Sequence, residues 1–511
     1  MKRRVGLVYV QGALPCFETF GNLPTDIVRQ DGLIDGKPAS NILDMIIIPG
    51  GSLVESKSIG APLEYEIRKM AESGKLVLGI CSGFQILSKG TDIGRLSPTP
   101  IWKAGLGLLD VEFKPLICTD QVKATVIEAN RLTIAVGAEV SGFHCHTYGD
   151  ITLHKNVKPF LISHVKRLNY GRQKQDIVSG VSNLEGNVIG ILPHALLDQN
   201  PVIVEGIRKT LEIDDDELQE IKKTNAKLQA TMKAEIGISI DKYQKAQDDI
   251  KEMKIPRFLL ITALESGGGK TFVATGLAGA LKRKGWKVGI IKVGGDIRDI
   301  VPALYLTKEP MRDYSSIMVA ETGWKNATES VESAKKDYDF VIIEGAMNAF
   351  TGLLFDQLER PSSTAEVAVA LGVPTVIVSG CDKEGIEGGI VNAINYVHFF
   401  KKLGIKPVGV ILNKVYLDYI NTETRLIVKE AFEGAGAVLL GILPITDAEG
   451  RGAIPEVEIK YEKFGAKALE TAENSLNLKR IVEVAAPLSA AEFDYEVFVE
   501  KFKKALKTSK L

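Results

Sequence analysis

The chain has 511 residues, of which 45% are hydrophobic and 25% are charged, a balance that excludes a disordered chain and leaves room for two or three packed domains. Its formal net charge is -1 and it has no long basic block, so nucleic acid is not an expected partner. No apolar run approaches the roughly 20 residues of a membrane span, and the five cysteines are scattered, so we expect a cytoplasmic protein without disulfides that does not enter a membrane.

Residues 1–205 are predicted to form an α/β domain with a mostly parallel sheet. β-Branched runs alternate with amphipathic segments: predicted strands cover 5–10, 45–48 and 75–80, and a predicted helix covers 63–73. Two of the strands end in glycine turns, at 49–52 and 79–85. Open α/β sheets place their sites at the carboxyl ends of such strands.

Cys81 follows one of these strands, in the sequence Gly-Ile-Cys-Ser-Gly-Phe-Gln. A cysteine on a sharp turn between a strand and a helix is favoured as a thiolate nucleophile. Its base must come from elsewhere in the chain, and His194 follows another predicted strand end. These two residues are the predicted nucleophile and base; the alternative is a buried structural cysteine.

The sequence around Cys81, together with the Pro-Gly-Gly turn at 49–51, resembles the class I glutamine amidotransferase domain. The resemblance implies that Cys81 attacks the glutamine amide and His194 shuttles the proton. It also implies that backbone N–H groups at Gly51 and Ser82 hold the oxyanion.

The subfamily is left open by the residues. The usual third catalytic member, a glutamate two positions after the histidine, is absent because Leu196 stands there. The amidotransferases fused to cobyric and cobyrinic acid synthases also lack it, and the segments 104–109 and 142–146 resemble that branch. The segment 185–190 is closer to the glutaminase of purine biosynthesis.

Residues 206–253 are predicted to form a helical linker, because they are rich in Lys, Glu, Gln and Ala and lack proline. The charges are most simply a solvated face. A second α/β domain is predicted over 254–511.

The second domain opens with an apolar run that breaks into glycines and ends in Gly-Lys-Thr, a pattern typical of a phosphate-binding loop. Backbone N–H groups can wrap a polyphosphate where side chains do not block it, so the predicted ATP-binding residues are Gly267, Gly268, Gly269, Lys270 and Thr271. Thr271 is also a predicted Mg²⁺ ligand. One departure is Leu264, which stands where the motif has its first glycine.

Acidic residues follow two later strands of this domain. Glu344 ends the apolar run 340–343, where a carboxylate can help to hold Mg²⁺ beside the phosphates; the alternative is a solvated strand end. After the strand 287–291, Asp296 is predicted as a further Mg²⁺ ligand. Lys292 and Asp299 are predicted to lie at the acceptor site.

The segments 292–299 and 343–352 resemble motifs of cobyrinic acid a,c-diamide synthase and, more distantly, of dethiobiotin synthetase. The resemblance implies that Asn413 reads adenine, although a strand-terminating turn residue is the alternative. Known cobyrinic acid synthases place the synthetase domain before the glutaminase, whereas this chain reverses the order. Family members also tend to carry glycine at the position of Asn348 and aspartate at that of Thr351.

We therefore expect two parallel-sheet α/β domains, one glutaminase-like and one P-loop NTPase-like, that amidate carboxylates of a small molecule, most simply a tetrapyrrole. ATP, Mg²⁺ and glutamine are implied, and an oligomer is compatible with the sequence. The alternatives are another amide ligase, such as a nickel-sirohydrochlorin diamide synthase or a purine-type amidotransferase, and a nucleotide-switched regulatory protein with a degenerate glutaminase domain.

Overall fold

The computed structural model describes residues 3–237, 255–354, 361–446, 461–488 and 493–508. These residues divide into two compact units, the first ending at Ile236 and the second beginning at Gly237. Both units are α/β, so the expected fold class is confirmed.

The first unit contains fifteen strands and seven α-helices within its described residues. The strands are β1 Val5–Val8, β2 Asp26–Val28, β3 Leu33–Ile34, β4 Lys37–Pro38, β5 Met45–Ile48, β6 Leu76–Ile80, β7 Gly90–Asp92, β8 Trp102–Ala104, β9 Val111–Lys114, β10 Gln121–Val126, β11 Glu139–Phe143, β12 Asp150–Leu153, β13 Val157–Leu168, β14 Gly171–Asn183 and β15 Val188–Ile191. The helices are α1 Ala39–Ile42, α2 Leu53–Ser56, α3 Ala61–Glu72, α4 Ser82–Leu87, α5 Leu196–Gln199, α6 Pro201–Leu211 and α7 Asp215–Glu235.

The main sheet of this unit has nine strands in the order β11-β10-β13-β14-β15-β6-β5-β1-β2. It is parallel from β15 to β2 and antiparallel from β11 to β15, so the predicted parallel character holds for one half only. The hairpin between β13 and β14 explains part of this difference. Its two turn residues, Asn169 and Tyr170, have φ of 48° and 65°, and such a short turn can join only antiparallel strands.

Strands β1, β5, β6 and β15 are buried along their whole length. Continuous apolar runs suit strands that are covered on both faces. Because these four neighbours are parallel, the loops that follow them open at the same edge of the sheet. This edge receives the chain after Val8, Ile48, Ile80 and Ile191.

Helix α7 lies in the segment predicted as a linker but belongs to the first unit. The helix buries an apolar stripe, formed by Leu218, Ile221, Leu228 and Met232. The Asn225 Nδ2 atom donates to the Pro24 carbonyl oxygen at 2.8 Å, and the Arg3 backbone N–H donates to Glu217 at 2.6 Å. The first unit therefore extends past the predicted boundary at residue 205, whereas residues 238–253 of the predicted linker lie outside the described residues.

The second unit contains seven strands and nine α-helices within its described residues. The strands are β16 Arg257–Ala263, β17 Val288–Val293, β18 Ser316–Ile317, β19 Phe340–Asn348, β20 Pro374–Gly380, β21 Lys406–Val415 and β22 Val438–Pro444. The helices are α8 Lys270–Arg283, α9 Val301–Thr307, α10 Ala327–Asp337, α11 Thr364–Ala370, α12 Gly385–Leu403, α13 Thr422–Ala435, α14 Tyr461–Ser475, α15 Leu478–Val484 and α16 Tyr495–Thr508.

All seven strands of the second unit form one parallel sheet in the order β18-β17-β19-β16-β20-β21-β22. Strand β16 lies in the middle, between β19 and β20, so the loop after it opens at the centre of the sheet edge. This is the edge at which open parallel sheets bind ligands. None of the helices in the described parts of the chain is long and apolar enough to cross a membrane.

Candidate active sites

Cys81 stands between the end of β6 and the start of α4 in the conformation of a sharp elbow. Its φ of 51° and ψ of −108° are neither helical nor extended, and such strained residues occur mainly at functional positions. The residue is 5% exposed, and its sulfur lies 4.0 Å from the Cys145 carbonyl oxygen. The structure therefore contains the elbow that the glycine spacing predicts.

His194 follows β15, the strand next to β6, and its side chain is hydrogen-bonded to Cys81. Phe143 stacks on the imidazole with ring centroids 5.2 Å apart, and Phe17 packs edge-on at 5.3 Å. Burial by itself lowers the pKa of His194, but the neighbouring Cys81 and Glu18 raise it to about 10. An imidazolium at neutral pH would stabilise a thiolate at Cys81, which is the nucleophilic form.

Glu18 is a neighbour of His194 that no motif in the sequence marks. It lies in the loop after β1 and is 4% exposed. Its Oε1 lies 2.6 Å from His194 Nδ1, and its Oε2 accepts from the Ala195 N–H at 2.7 Å. The available sequence signal is its position after a buried parallel strand. Leu196, where the family has its glutamate, is 1% exposed and apolar.

The glycine turn at 49–52 lies beside Cys81 and His194. Gly51 has a φ of 138°, and a Cβ added there would overlap a backbone carbonyl oxygen of the preceding loop. A Cβ added at Gly50 would overlap the His194 ring and lie 3.4 Å from Cys81 Cβ. Ser82 accepts hydrogen bonds through Oγ from the two N–H groups that follow the turn. The predicted oxyanion residues are thus close to the pair, since Gly51 belongs to this turn and Ser82 directly follows Cys81. Their role stays a prediction.

The loop between β16 and α8 is open to a ligand on one side. No atom lies within 4 Å of a Cβ added at Gly267, whereas one added at Gly269 would overlap the Asn413 side chain. The Asn413 Nδ2 atom donates to the Gly268 carbonyl oxygen at 3.0 Å. Asn413 thus holds the loop in place, and its predicted contact with adenine stays a prediction.

Lys270 and Thr271 begin α8 and point to different partners. The Lys270 ammonium donates to the Met347 carbonyl oxygen at 2.6 Å, and the Thr271 hydroxyl donates to Glu344 at 2.8 Å. Burial, reinforced by the nearby charge of Lys292, lowers the pKa of Lys270 to about 8. Bound phosphate oxygens would supply the negative charge that favours the ammonium form.

A buried ion cluster lies next to Thr271. Lys292 is 2% exposed, and its ammonium donates to Asp299 at 2.6 Å and to Glu344 at 3.0 Å. Burial lowers the pKa of Lys292, but the two carboxylates outweigh it and leave the pKa above its ordinary value. Because its ammonium is committed to them, the structure argues against direct contact of Lys292 with an acceptor. Asp299 is about one-third exposed and can face one.

Glu344 fits a divalent cation in one respect. Its Oε2 atom is buried and has no hydrogen-bond partner among the described residues, so it is available as an oxygen ligand beside Thr271. Asp296 lies 3.7 Å from the Arg298 guanidinium. No group of three or more His, Cys, Asp or Glu in the described ranges could hold a metal ion. A site with few protein ligands, such as Thr271 and Glu344, still suits Mg²⁺, because this ion commonly takes phosphate oxygens and water as its further ligands.

Comparison with family models finds one matching domain in each half of the chain. Residues 14–202 match the CobB/CobQ-like glutamine amidotransferase domain. Residues 259–452 match the CobQ/CobB/MinD/ParA nucleotide binding domain. The chain joins these two domains in one polypeptide. The resemblance inferred from the motifs is thereby confirmed, with the amidotransferase domain first.

Three curated relatives show how far the similarity extends. Cobyrinate a,c-diamide synthase of Streptococcus sanguinis is 31% identical over 242 residues, which are 44% of this chain and 49% of the relative. Hydrogenobyrinate a,c-diamide synthase of Mycobacterium bovis is 30% identical over 188 residues, 36% of this chain and 39% of the relative. Cobyric acid synthase of Clostridium botulinum is 33% identical over 162 residues, 30% of each. The chain thus spans about half the length or less of these relatives.

Two departures of the nucleotide-binding domain from the family's motifs, at Leu264 and Asn348, have a structural explanation. Leu264 packs against the core of the unit, and its carbonyl oxygen accepts from the Asn348 side chain and from the Tyr396 hydroxyl. Asn348 therefore fixes the start of the phosphate loop, which a glycine could not do. Nothing in the structure explains the threonine at 351.

Proposed function

We propose that the chain is an amidoligase that uses glutamine and ATP to convert carboxylates of a tetrapyrrole acceptor into amides in the cytoplasm. The observation that carries the proposal is the occurrence, in one chain, of a buried Cys81–His194 pair and a phosphate loop. Lys270 and Thr271 equip that loop for nucleotide binding. One site would make ammonia, and the other would activate its acceptor.

Glutamine cleavage follows from the first site. The Cys81 thiolate attacks the side-chain amide carbon, and the developing oxyanion is held by backbone N–H groups at Gly51 and Ser82. The His194 imidazolium then gives its proton to the departing nitrogen, which leaves ammonia and a thioester on Cys81. His194 next takes a proton from water, whose oxygen attacks the thioester carbon and releases glutamate.

Acceptor activation follows from the second site. A carboxylate of the acceptor attacks the γ-phosphorus of ATP and ADP leaves, which gives an acyl phosphate. Ammonia then attacks the acyl carbon, and phosphate departs as the amide forms. Lys270 would neutralise phosphate charge during the transfer, and Mg²⁺ held by Thr271 and Glu344 would add to that neutralisation.

The acceptor is proposed from the relatives. Their names specify cobyrinate, hydrogenobyrinate and cobyric acid chemistry, which supports a tetrapyrrole that carries several carboxylates. Asp296 and Asp299 follow the strand beside the phosphate site and would repel such an acceptor if their charge were not offset. Lys292 and Arg298 offset that charge through the ion pairs described above.

The test is amidation by purified protein with ATP, Mg²⁺, glutamine and either cobyrinic acid or sirohydrochlorin. Mass spectrometry should find products lighter by about one mass unit per amide, and ammonium salts should replace glutamine. ATP consumption with a different carboxylic acid and no tetrapyrrole product would refute the acceptor. Acceptor-independent ATP hydrolysis with glutamine untouched would refute the amidoligase and favour the regulatory alternative.

A further inference from the structure

We propose that Glu18 is the third member of the glutamine-cleaving site, a positioning residue that keeps His194 in the orientation and proton state that serve Cys81. The proposal rests on the proposed glutaminase activity and supplies the carboxylate that is missing at position 196.

The geometry fixes both the carboxylate and the ring. Glu18 and His194 expose 2% and 3% of their side chains, and 2.6 Å separates Glu18 Oε1 from His194 Nδ1. The second oxygen accepts from the Ala195 N–H at 2.7 Å, so the same residue grips the ring and the backbone next to it. Phe17, which precedes Glu18, also packs edge-on against the ring. A carboxylate at Nδ1 keeps the proton on that nitrogen and directs Nε2 towards the nucleophile.

The loop that carries Glu18 is hydrogen-bonded to the glycine turn at 49–52. The Leu14 N–H donates to the Gly50 carbonyl oxygen at 3.0 Å, and the Ser52 N–H donates to the Gly12 carbonyl oxygen at 2.8 Å. The loop that carries Glu18 and the glycine turn at 49–52 are therefore joined by backbone hydrogen bonds. This arrangement gives the rigid support that a catalytic group needs.

Three titratable groups face His194: Cys81 from the elbow, Glu18 from the loop after β1, and His144 from the chain after β11. Burial, with the charges of neighbouring histidines, holds the pKa of His144 well below its usual range, so this ring is neutral. Glu18 is thus the carboxylate that supports the imidazolium. Its removal should lower the pKa of His194 and so weaken the imidazolium that supports the Cys81 nucleophile near neutral pH.

The informative variant is Glu18→Gln, because it keeps the shape and removes the charge. The amide oxygen is needed by the Ala195 N–H, which leaves the NH₂ group facing His194 Nδ1. Because the NH₂ group donates to Nδ1, the ring then carries its proton on Nε2. In that form Nε2 cannot accept a proton from Cys81. In the flipped orientation of the amide, its NH₂ group would face the Ala195 N–H. Two hydrogen-bond donors would then face each other, which is unfavourable.

The experiment compares glutamine hydrolysis by wild type, Glu18→Gln, Glu18→Asp and Asp198→Asn across pH. Asp198 is the matched control: it is exposed and anchors the same loop through Thr19 and Gly21 without contacting His194. We expect kcat/KM of Glu18→Gln to fall about 10²- to 10⁴-fold. The basic limb of its pH profile should lie at lower pH than that of wild type, because the carboxylate that helps to raise the pKa of His194 to about 10 is gone. Glu18→Asp should recover part of the rate, and Asp198→Asn should keep the wild-type pH profile.

A second readout separates this proposal from the proposed function. Iodoacetamide should modify Cys81 more slowly in Glu18→Gln than in wild type near neutral pH, as followed by peptide mass spectrometry, whether or not glutamine is the substrate. A wild type that does not cleave glutamine would refute the proposed function while this comparison still tests Glu18. The role of Glu18 would be overturned if Glu18→Gln kept the wild-type rate of Cys81 alkylation and the wild-type pH profile. It would also be overturned if Asp198→Asn showed the same changes as Glu18→Gln.

Discussion

At the scale of single residues, each proposed site depends on one side chain whose reactive form is set by its neighbours. The Cys81 sulfur is paired with a protonated His194, and the Lys270 ammonium lies in a buried setting that lowers its pKa to about 8. Cys81 directly follows the buried parallel strand β6, and Lys270 begins the helix that comes after β16. Removing either should silence one half-reaction and leave the other.

Cys81→Ala should lower glutamine-supported amidation by at least about 10⁴-fold, because no nucleophile is left to form the thioester. Amidation with ammonium salts should persist. Cys118→Ala is the control, since burial raises the pKa of that thiol and keeps it out of the reactive form. Glutamine use by Cys81→Ala at the wild-type rate, measured as glutamate release, would disprove the assignment.

Lys270→Ala should reduce amidation with either nitrogen donor by about 10²-fold or more, because it removes positive charge from the phosphoryl transfer. Glutamine hydrolysis without acceptor should be retained. The control is Lys282→Ala, which removes a lysine from the last turn of the same helix. Turnover with ammonia at the wild-type level in Lys270→Ala would show that the loop is structural.

At the scale of elements, α7 shows how a charged sequence can belong to a packed unit. One face of this otherwise polar helix buries a stripe of apolar side chains, and the Asn225 side chain donates a hydrogen bond to a buried carbonyl oxygen of the first unit. The helix should therefore contribute to the stability of that unit rather than serve only as a tether.

Ile221→Ala should destabilise the first unit by about 2–5 kcal/mol, the usual cost of such a cavity. The Ile221 side chain is fully buried, whereas Lys223 on the same helix is exposed, so Lys223→Ala serves as the control. Thermal unfolding followed by loss of glutamine hydrolysis should separate the two variants. Equal unfolding temperatures would mean that α7 is only a connector.

At the scale of the whole molecule, one chain contains both the proposed ammonia-producing site and the proposed ammonia-consuming site. Free ammonia is largely protonated at neutral pH and is then not a nucleophile, while an acyl phosphate is open to attack by water. Covalent linkage of the two domains would therefore favour direct use of the ammonia.

A scavenging experiment tests this coupling. Glutamate dehydrogenase with 2-oxoglutarate and NADPH should leave glutamine-dependent amidation by wild type almost unchanged. The same scavenger should abolish amidation by an equimolar mixture of Cys81→Ala and Lys270→Ala, in which ammonia must pass through solvent. Equal inhibition of the wild type and the mixture would contradict direct transfer within one chain.

The sequence by itself determined the features that are local along the chain. The elbow at Cys81 and the phosphate loop before Lys270 follow from glycine spacing between a strand and a helix. Such turns depend on backbone conformation, which nearby residues control. The strands predicted at 45–48 and 75–80 agree with β5 and β6 to within one residue, because buried parallel strands are continuous apolar runs.

The tertiary structure decided what depends on distant parts of the chain. Glu18 and His194 are 176 positions apart, and Asn413 and Gly268 are 145 apart, so no local pattern could pair them. The antiparallel half of the first sheet follows from hairpin pairing, and the membership of α7 follows from the surface that its apolar stripe meets. A motif records local backbone requirements, whereas the partner of a buried polar group is chosen by the folded neighbourhood that must satisfy it.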